Sequence, residues 1–132
     1  MRALSPNGIH PPFSNYSHGI ALPAGCRLIA CSGQLGITRE GDVPISAQAQ
    51  ARIALENLEA ILAEEGLDRR AIVRLNVYVT DRAHLAGYMA ARNGFFESVE
   101  PAPASTLMIV SGFARPEFHV EIECLAAARE GA

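Results

Sequence analysis

The side chains of this sequence that could move a proton or hold a charge fall in a few short stretches. Tyr16 offers a phenol that can hydrogen-bond a polar ligand or a water, and His18 an imidazole that titrates near neutral pH. Ser32-Gly33 presents a hydroxyl and a backbone N–H where glycine lets another group come close. Arg92 and Arg115 are cations in the second half of the chain. Glu121 and Glu123 alternate with Val120, Ile122 and Cys124, so both carboxylates project from one side of a strand. A carboxylate there can act as a general base, and Glu123 fits more simply as a partner for Arg74 or Arg115. Each residue has an ordinary structural alternative: a core tyrosine, a lone histidine, a turn glycine, a solvated arginine or strand glutamate.

The cysteines carry less. Three is an odd number, and Met1 to Pro12 lacks a basic stretch followed by an apolar run, which reads as reduced thiols without a disulfide framework or secretory signal. Cys26 and Cys31 sit at an odd spacing that puts them on opposite faces of a strand, where they cannot share a metal. All three cysteines read as small buried hydrophobes, and no metal site is expected.

Composition narrows the partners. The formal net charge is −3 and the basic residues are scattered, so there is no electrostatic footprint for nucleic acid or an acidic membrane; small neutral or anionic metabolites fit better. No apolar stretch approaches the ~20 residues that cross a bilayer, and a cytoplasmic location is expected. A hydrophobic share of 49 % is high for one domain of 132 residues, so some apolar surface is expected to be buried between subunits.

The elements that must position these residues follow from periodicity. Asn15 to Leu22 reads as a short strand, turned by Pro23-Ala24-Gly25 into Cys26 to Ser32 as a β-hairpin. Ser46 caps a helix to about Glu65 whose apolar stripe is Ile53, Leu58, Ile61 and Leu62 with Leu55 flanking, and Gly66 fits its left-handed end. Ile72 to Val79 alternates as a strand with Val73, Leu75, Val77 and Val79 inward. Asp81 caps a second helix carrying Leu85, Tyr88, Met89, Phe95 and Phe96 to the core. After Pro101-Ala102-Pro103-Ala104 come strands from Ser105 to Ser111 and Phe118 to Ala126. The order β-β-α-β-α-β-β predicts an α+β fold, one mixed sheet with both helices on one face and the other face covered by oligomerisation.

These stretches, in order, resemble the reactive-intermediate deaminase family, also called Rid or YjgF. Asn15-Tyr16-Ser17-His18-Gly19-Ile20 sits where that family has Pro-Tyr-x-Gln-Gly/Ala-Val, and Ser32-Gly33-Gln34 is its Ser-Gly-Gln. Gln50-Ala51-Arg52, Asn57-Leu58 and Glu65-Gly66-Leu67 match its first helix, Phe95-Phe96 its second, and Pro103-Ala104 with Val120-Glu121-Ile122-Glu123 its C-terminal signature. The resemblance spans roughly residues 7 to 127.

It implies a homotrimer of barrel-like form with ligand clefts between subunits, and hydrolysis of 2-imino acids or their enamines to 2-oxo acids without cofactor. It casts Glu121 as the catalytic carboxylate beside the attacking water, with Tyr16, His18, Ser32, Gly33, Ser105 and Arg92 around the substrate. The arginine that clamps the substrate carboxylate directly after Pro-Ala is Ser105 here. One neutral hydroxyl replaces a bidentate guanidinium, which predicts weak action on simple 2-imino acids. Met89 and Arg92 stand where the family tends to have Asn and Tyr, and His18 where it has Gln, which makes Arg92 or Arg115 the candidate replacement cation and His18 a candidate proton donor to an imine or enamine. The alternatives are a non-catalytic metabolite-binding module and, with poor support from an acidic chain, a ribonuclease or translation inhibitor.

Overall fold

A computed structural model describes residues 1–129. The strands are β1 Arg2–Leu4, β2 Gly19–Ala21, β3 Cys26–Leu35, β4 Ile72–Val79, β5 Ala104–Ile109 and β6 Val120–Arg129; the helices are α1 Ala47–Ala63 and α2 Leu85–Phe95. Four strands form a mixed sheet in the order β3-β6-β4-β5, antiparallel except for β4 and β5, which α2 joins as a parallel pair. Both helices pack against the sheet and each other, with Leu55, Leu58, Leu62, Leu75, Val77, Tyr88, Val120 and Ile122 at the centre of the core. Among the described residues no helix is long and apolar enough to cross a membrane.

The strands alternate as their sequences demand. Leu75, Val77 and Val79 on β4 and Val120 and Ile122 on β6 are fully buried beneath the helices, and Arg74, Asn76, Tyr78, Glu121 and Glu123 take the other face. In α1, Ser46 caps through its Oγ, which accepts from Ala49 N–H at 3.1 Å. The helix ends where Gly66, at φ 72°, lets Leu67 N–H reach back to the Leu62 carbonyl at 3.0 Å. The buried stripe differs from the large-residue pattern: Ala47, Ala51, Ala54, Leu55, Leu58 and Leu62 face inward, whereas Ile61 is 37 % exposed and Ile53 half-buried. Alanines bring the helix close to its neighbours, and size-based reading passes over them.

The expected hairpin does not form. Only Gly19–Ala21 of the Asn15–Leu22 stretch is a strand, and it pairs antiparallel with β1, at the N-terminus, instead of with β3. The residues before it cling to the opposite edge of the sheet: Ser17 bridges to Ala104, its N–H donating to the Pro103 carbonyl at 3.1 Å and its hydroxyl to the Ala102 carbonyl at 2.5 Å. With β3 at one edge and β5 at the other, the segment cannot serve both. Asp81 also caps a single 3₁₀ turn, Arg82–His84, from which α2 continues. Gln50, fully buried, ties two loops to α1: its amide donates to the Pro44 and Glu117 carbonyls and accepts from His119 N–H, all within 2.9 Å.

Candidate functional site

Helical and strand periods together build one cavity. On α2 the positions of Leu85, Met89 and Arg92 repeat at helical spacing, and on β5 Ser105 and Leu107 share the face that looks toward the helices. Ser17's hold on the β5 edge draws Phe13, Ser14 and Tyr16 across the opening. These residues enclose a space of about 400 Å³. Tyr16, Arg92 and Ser105 of the expected site residues therefore meet in one cavity.

Arg92 is the cavity's cation, and sequence did not foretell its burial: it is 4 % exposed. Its Nη2 donates to Ser14 Oγ at 2.7 Å and Asn93 Oδ1 at 3.1 Å, its guanidinium lies 5.6 Å from the Tyr88 ring centre, and its Nε has no partner among the described residues. The Tyr88 hydroxyl, one turn earlier, is likewise buried and unpartnered. Burial pushes that phenol up to about 12, against the smaller pull of nearby Arg92 and Ser105, neither of which meets it at hydrogen-bond geometry. Tyr16's hydroxyl oxygen accepts from Phe13 N–H at 3.2 Å, which leaves its own proton available to a ligand.

Glu121 lies elsewhere in the same chain. The register sets Ser105 level with Leu75, under the helices, whereas Glu121 is level with Tyr78 and Leu35 on the opposite face of the sheet. The pairing of β3 with β6 shifts between Cys31 and Gln34, a bulge that contains Ser32 and Gly33. It brings the Gly33 backbone against Glu121 so closely that a Cβ at that position would lie 2.8 Å from the carboxyl carbon. Among the described residues no hydrogen bond or ion pair engages the Glu121 carboxylate. Ser32, Gly33 and Glu121 thus form a second group, separated from the first by the sheet.

The other candidates have different neighbours. His18 packs edge-on to Tyr16, ring centres 6.2 Å apart, but its Nε2 is 2.7 Å from the His10 carbonyl and it lines an adjoining hollow of about 320 Å³ with Pro6, Asn7 and Ile9. Arg115 pairs with Glu117 at 2.6 Å and lies over Phe118, so it takes no part in the cavity. Glu123 pairs with neither arginine named for it. Its Oε1 accepts from the Tyr78 hydroxyl at 2.8 Å and from Asn76 Nδ2 at 3.2 Å, with Arg74 one step away through Asn76. That contact, above all, raises the Tyr78 phenol. Of the cysteines, Cys31 and Cys124 are buried and face each other across β3 and β6, a pairing that spacing alone does not reveal, and Cys26 is only partly buried. Phe13 and Ser14 are not legible as site residues either, because Pro11 to Ser14 has no periodicity to place them; Leu85 and Met89 pack against the core as expected and also line the cavity.

Residues 8–128 match the family model described as Endoribonuclease L-PSP. The chain is 34 % identical over 116 residues to the 2-iminobutanoate/2-iminopropanoate deaminase of Escherichia coli, covering 86 % of this chain and 88 % of that one. Among solved structures it resembles the Rid-family protein YyfB of Yersinia pestis, itself of unknown function, with a TM-score of 0.82, 31 % identity and coverage of 96 % and 98 %. It also resembles E. coli TdcF with bound serine, with a TM-score of 0.70, 28 % identity and coverage of 94 % and 93 %.

Proposed function

The chain belongs to the L-PSP endoribonuclease family, known also as Rid or YjgF, and on that premise we propose that it is a cytoplasmic, cofactor-independent deaminase that hydrolyses an imine or enamine metabolite. The observation that carries the reading is the pair of half-sites on opposite faces of one sheet: a cavity with Arg92, Tyr16 and Ser105, and a carboxylate, Glu121, set against Gly33 with no hydrogen bond or ion pair to it among the described residues. A homotrimer completes the site by setting Glu121, Ser32 and Gly33 of one copy against the cavity of the next. Glu121 then takes a proton from water as the oxygen attacks the C=N carbon, and returns it to the nitrogen of the tetrahedral adduct. As the hydroxyl proton of the adduct passes to the departing nitrogen, the adduct collapses, expelling ammonia and leaving the carbonyl product. Tyr16 and Ser105 supply neutral hydrogen bonds to the polar atoms of the adduct. His18 stands behind Tyr16, with its Nε2 given to a backbone carbonyl, and is left out of this scheme.

Ser105 in place of a guanidinium predicts poor turnover of 2-iminopropanoate. The imine is generated with an amino-acid oxidase, and its loss is read as reduced trapping by semicarbazide. Decay as fast as with a relative bearing arginine at that position would overturn this expectation. The same two faces also fit a module that binds a metabolite without turnover, and binding with no acceleration of any imine would favour it. A net charge of −3 gives the ribonuclease reading no electrostatic support.

A further inference from the structure

Arg92 is a buried cation with no anion. It is 4 % exposed, Ser14 and Asn93 are its neutral partners, no carboxylate pairs with it among the described residues, and its Nε hydrogen bond is unmade. A guanidinium removed from water without a counter-charge is costly to the fold, so its retention in the wall of a cavity points to an anionic ligand that supplies the missing partner. The Tyr88 hydroxyl beside it is a second polar group left unsatisfied. Every other large side chain of the wall except Tyr16 is apolar: Phe13, Leu85, Met89 and Leu107. One cation facing an apolar wall suits a single negative charge with a hydrophobic tail, and about 400 Å³ is far more space than a three-carbon acid fills.

We infer that this cavity takes monocarboxylates with a branched aliphatic or aromatic tail, the carboxylate on Arg92 with the Tyr16 and Ser105 hydroxyls as further donors, and the tail against Leu85, Met89 and Leu107 under Phe13. The inference rests on the deaminase reading only for the chemistry after binding. There it names the substrate class as 2-imino acids with bulky apolar side chains, whose supply requires a two-electron oxidation of the corresponding 2-amino acid, or β-elimination from a 2-amino acid that carries a leaving group on its β-carbon.

The test is titration calorimetry of the whole protein with 4-methyl-2-oxopentanoate, its uncharged amide, and pyruvate. The long acid should bind at least about tenfold more tightly than either of the others, since the amide lacks the charge and pyruvate the tail. Arg92→Met should weaken the acid by roughly ten- to a hundredfold without lowering the melting temperature of the ligand-free protein. Leu107→Trp, which fills the tail's space and keeps the cation, should erase the preference over pyruvate. Equal binding of acid and amide, unchanged affinity in Arg92→Met, or a ligand-free Arg92→Met that melts well below the parent would each overturn the inference, the last by making Arg92 a structural tie. Binding as described with no imine turned over would sink the deaminase reading alone. Turnover of long-tailed imines by Arg92→Met at the parental rate would sink this inference alone.

Discussion

Glu121 and Gly33 show how a single bulge can serve a carboxylate. An extra residue in β3 opens the ladder beside β6, and a glycine there lets the backbone approach to a distance no side chain permits. Replacing Glu121 by Gln keeps shape and hydrogen-bonding reach and removes the base, so turnover of a long-tailed imine should fall by roughly 10²–10⁴ while binding of the matching 2-oxo acid changes little. Calorimetry and the semicarbazide assay on one preparation separate the two effects; full activity in the Gln variant would end the general-base assignment. Glu121 can be singled out in the sequence because strict alternation sets it apart from Val120 and Ile122, and because a motif marks the position. Arg92 can be named but not placed. Its burial depends on Ser14, reached only when a loop some seventy-eight positions away folds over α2, and no local pattern encodes that contact.

The same contrast between local and long-range information governs the elements. Both helices and the strands β4 and β6 are legible, because each buries one face at its own period, and Ser46 marks where α1 begins. The hairpin is not, because the choice between pairing with β3 and clinging to β5 is settled by which edge of the finished sheet stands open. A comparable long-range tie holds the helices. Arg69, at the turn before β4, makes a two-pronged pair with Glu59 of α1 at 2.6 and 2.8 Å, donates to the Phe95 carbonyl at the end of α2 at 2.8 Å, and lies 3.9 Å over the Phe95 ring. The Arg69 hydrogen bonds hold the Glu59 carboxyl below its ordinary 4.5. A carboxyl depressed in the folded state stabilises the fold above its unfolded value and loses that contribution as the pH falls through the folded one. Melting temperature should therefore drop below about pH 4.5 less steeply in Glu59→Gln than in the parent, while at pH 7 the variant should melt lower. Parallel acid profiles of the two proteins would refute this account of the tie.

At the scale of the whole molecule, the face of the sheet turned away from the helices carries an unusual mixture. Leu28, Met108 and Leu125 are 61 %, 57 % and 38 % exposed there, spread over β3, β5 and β6. Beside them lie Glu121 and the chain of hydrogen bonds from Thr106 through Arg74, Asn76 and Glu123 to Tyr78. A surface this apolar, interleaved with polar groups already tied to one another, suits contact with another protein surface better than contact with water. If that contact is with further copies of the chain, one interface both covers the leucines and carries Glu121 toward a neighbour's cavity, which is what the proposed chemistry requires. Light scattering across a size-exclusion peak should then give three times 14.1 kDa. Leu28→Glu, a charge set in the apolar patch and remote from the core, should shift the protein toward 14.1 kDa while leaving its helical circular dichroism unchanged. The dissociated variant should also lose imine turnover, although none of its own catalytic side chains has changed. A protein that stays monomeric at micromolar concentration and still hydrolyses imines would separate activity from assembly, and would require Glu121 and Arg92 to act on opposite sides of one sheet, an arrangement in which no single substrate touches both.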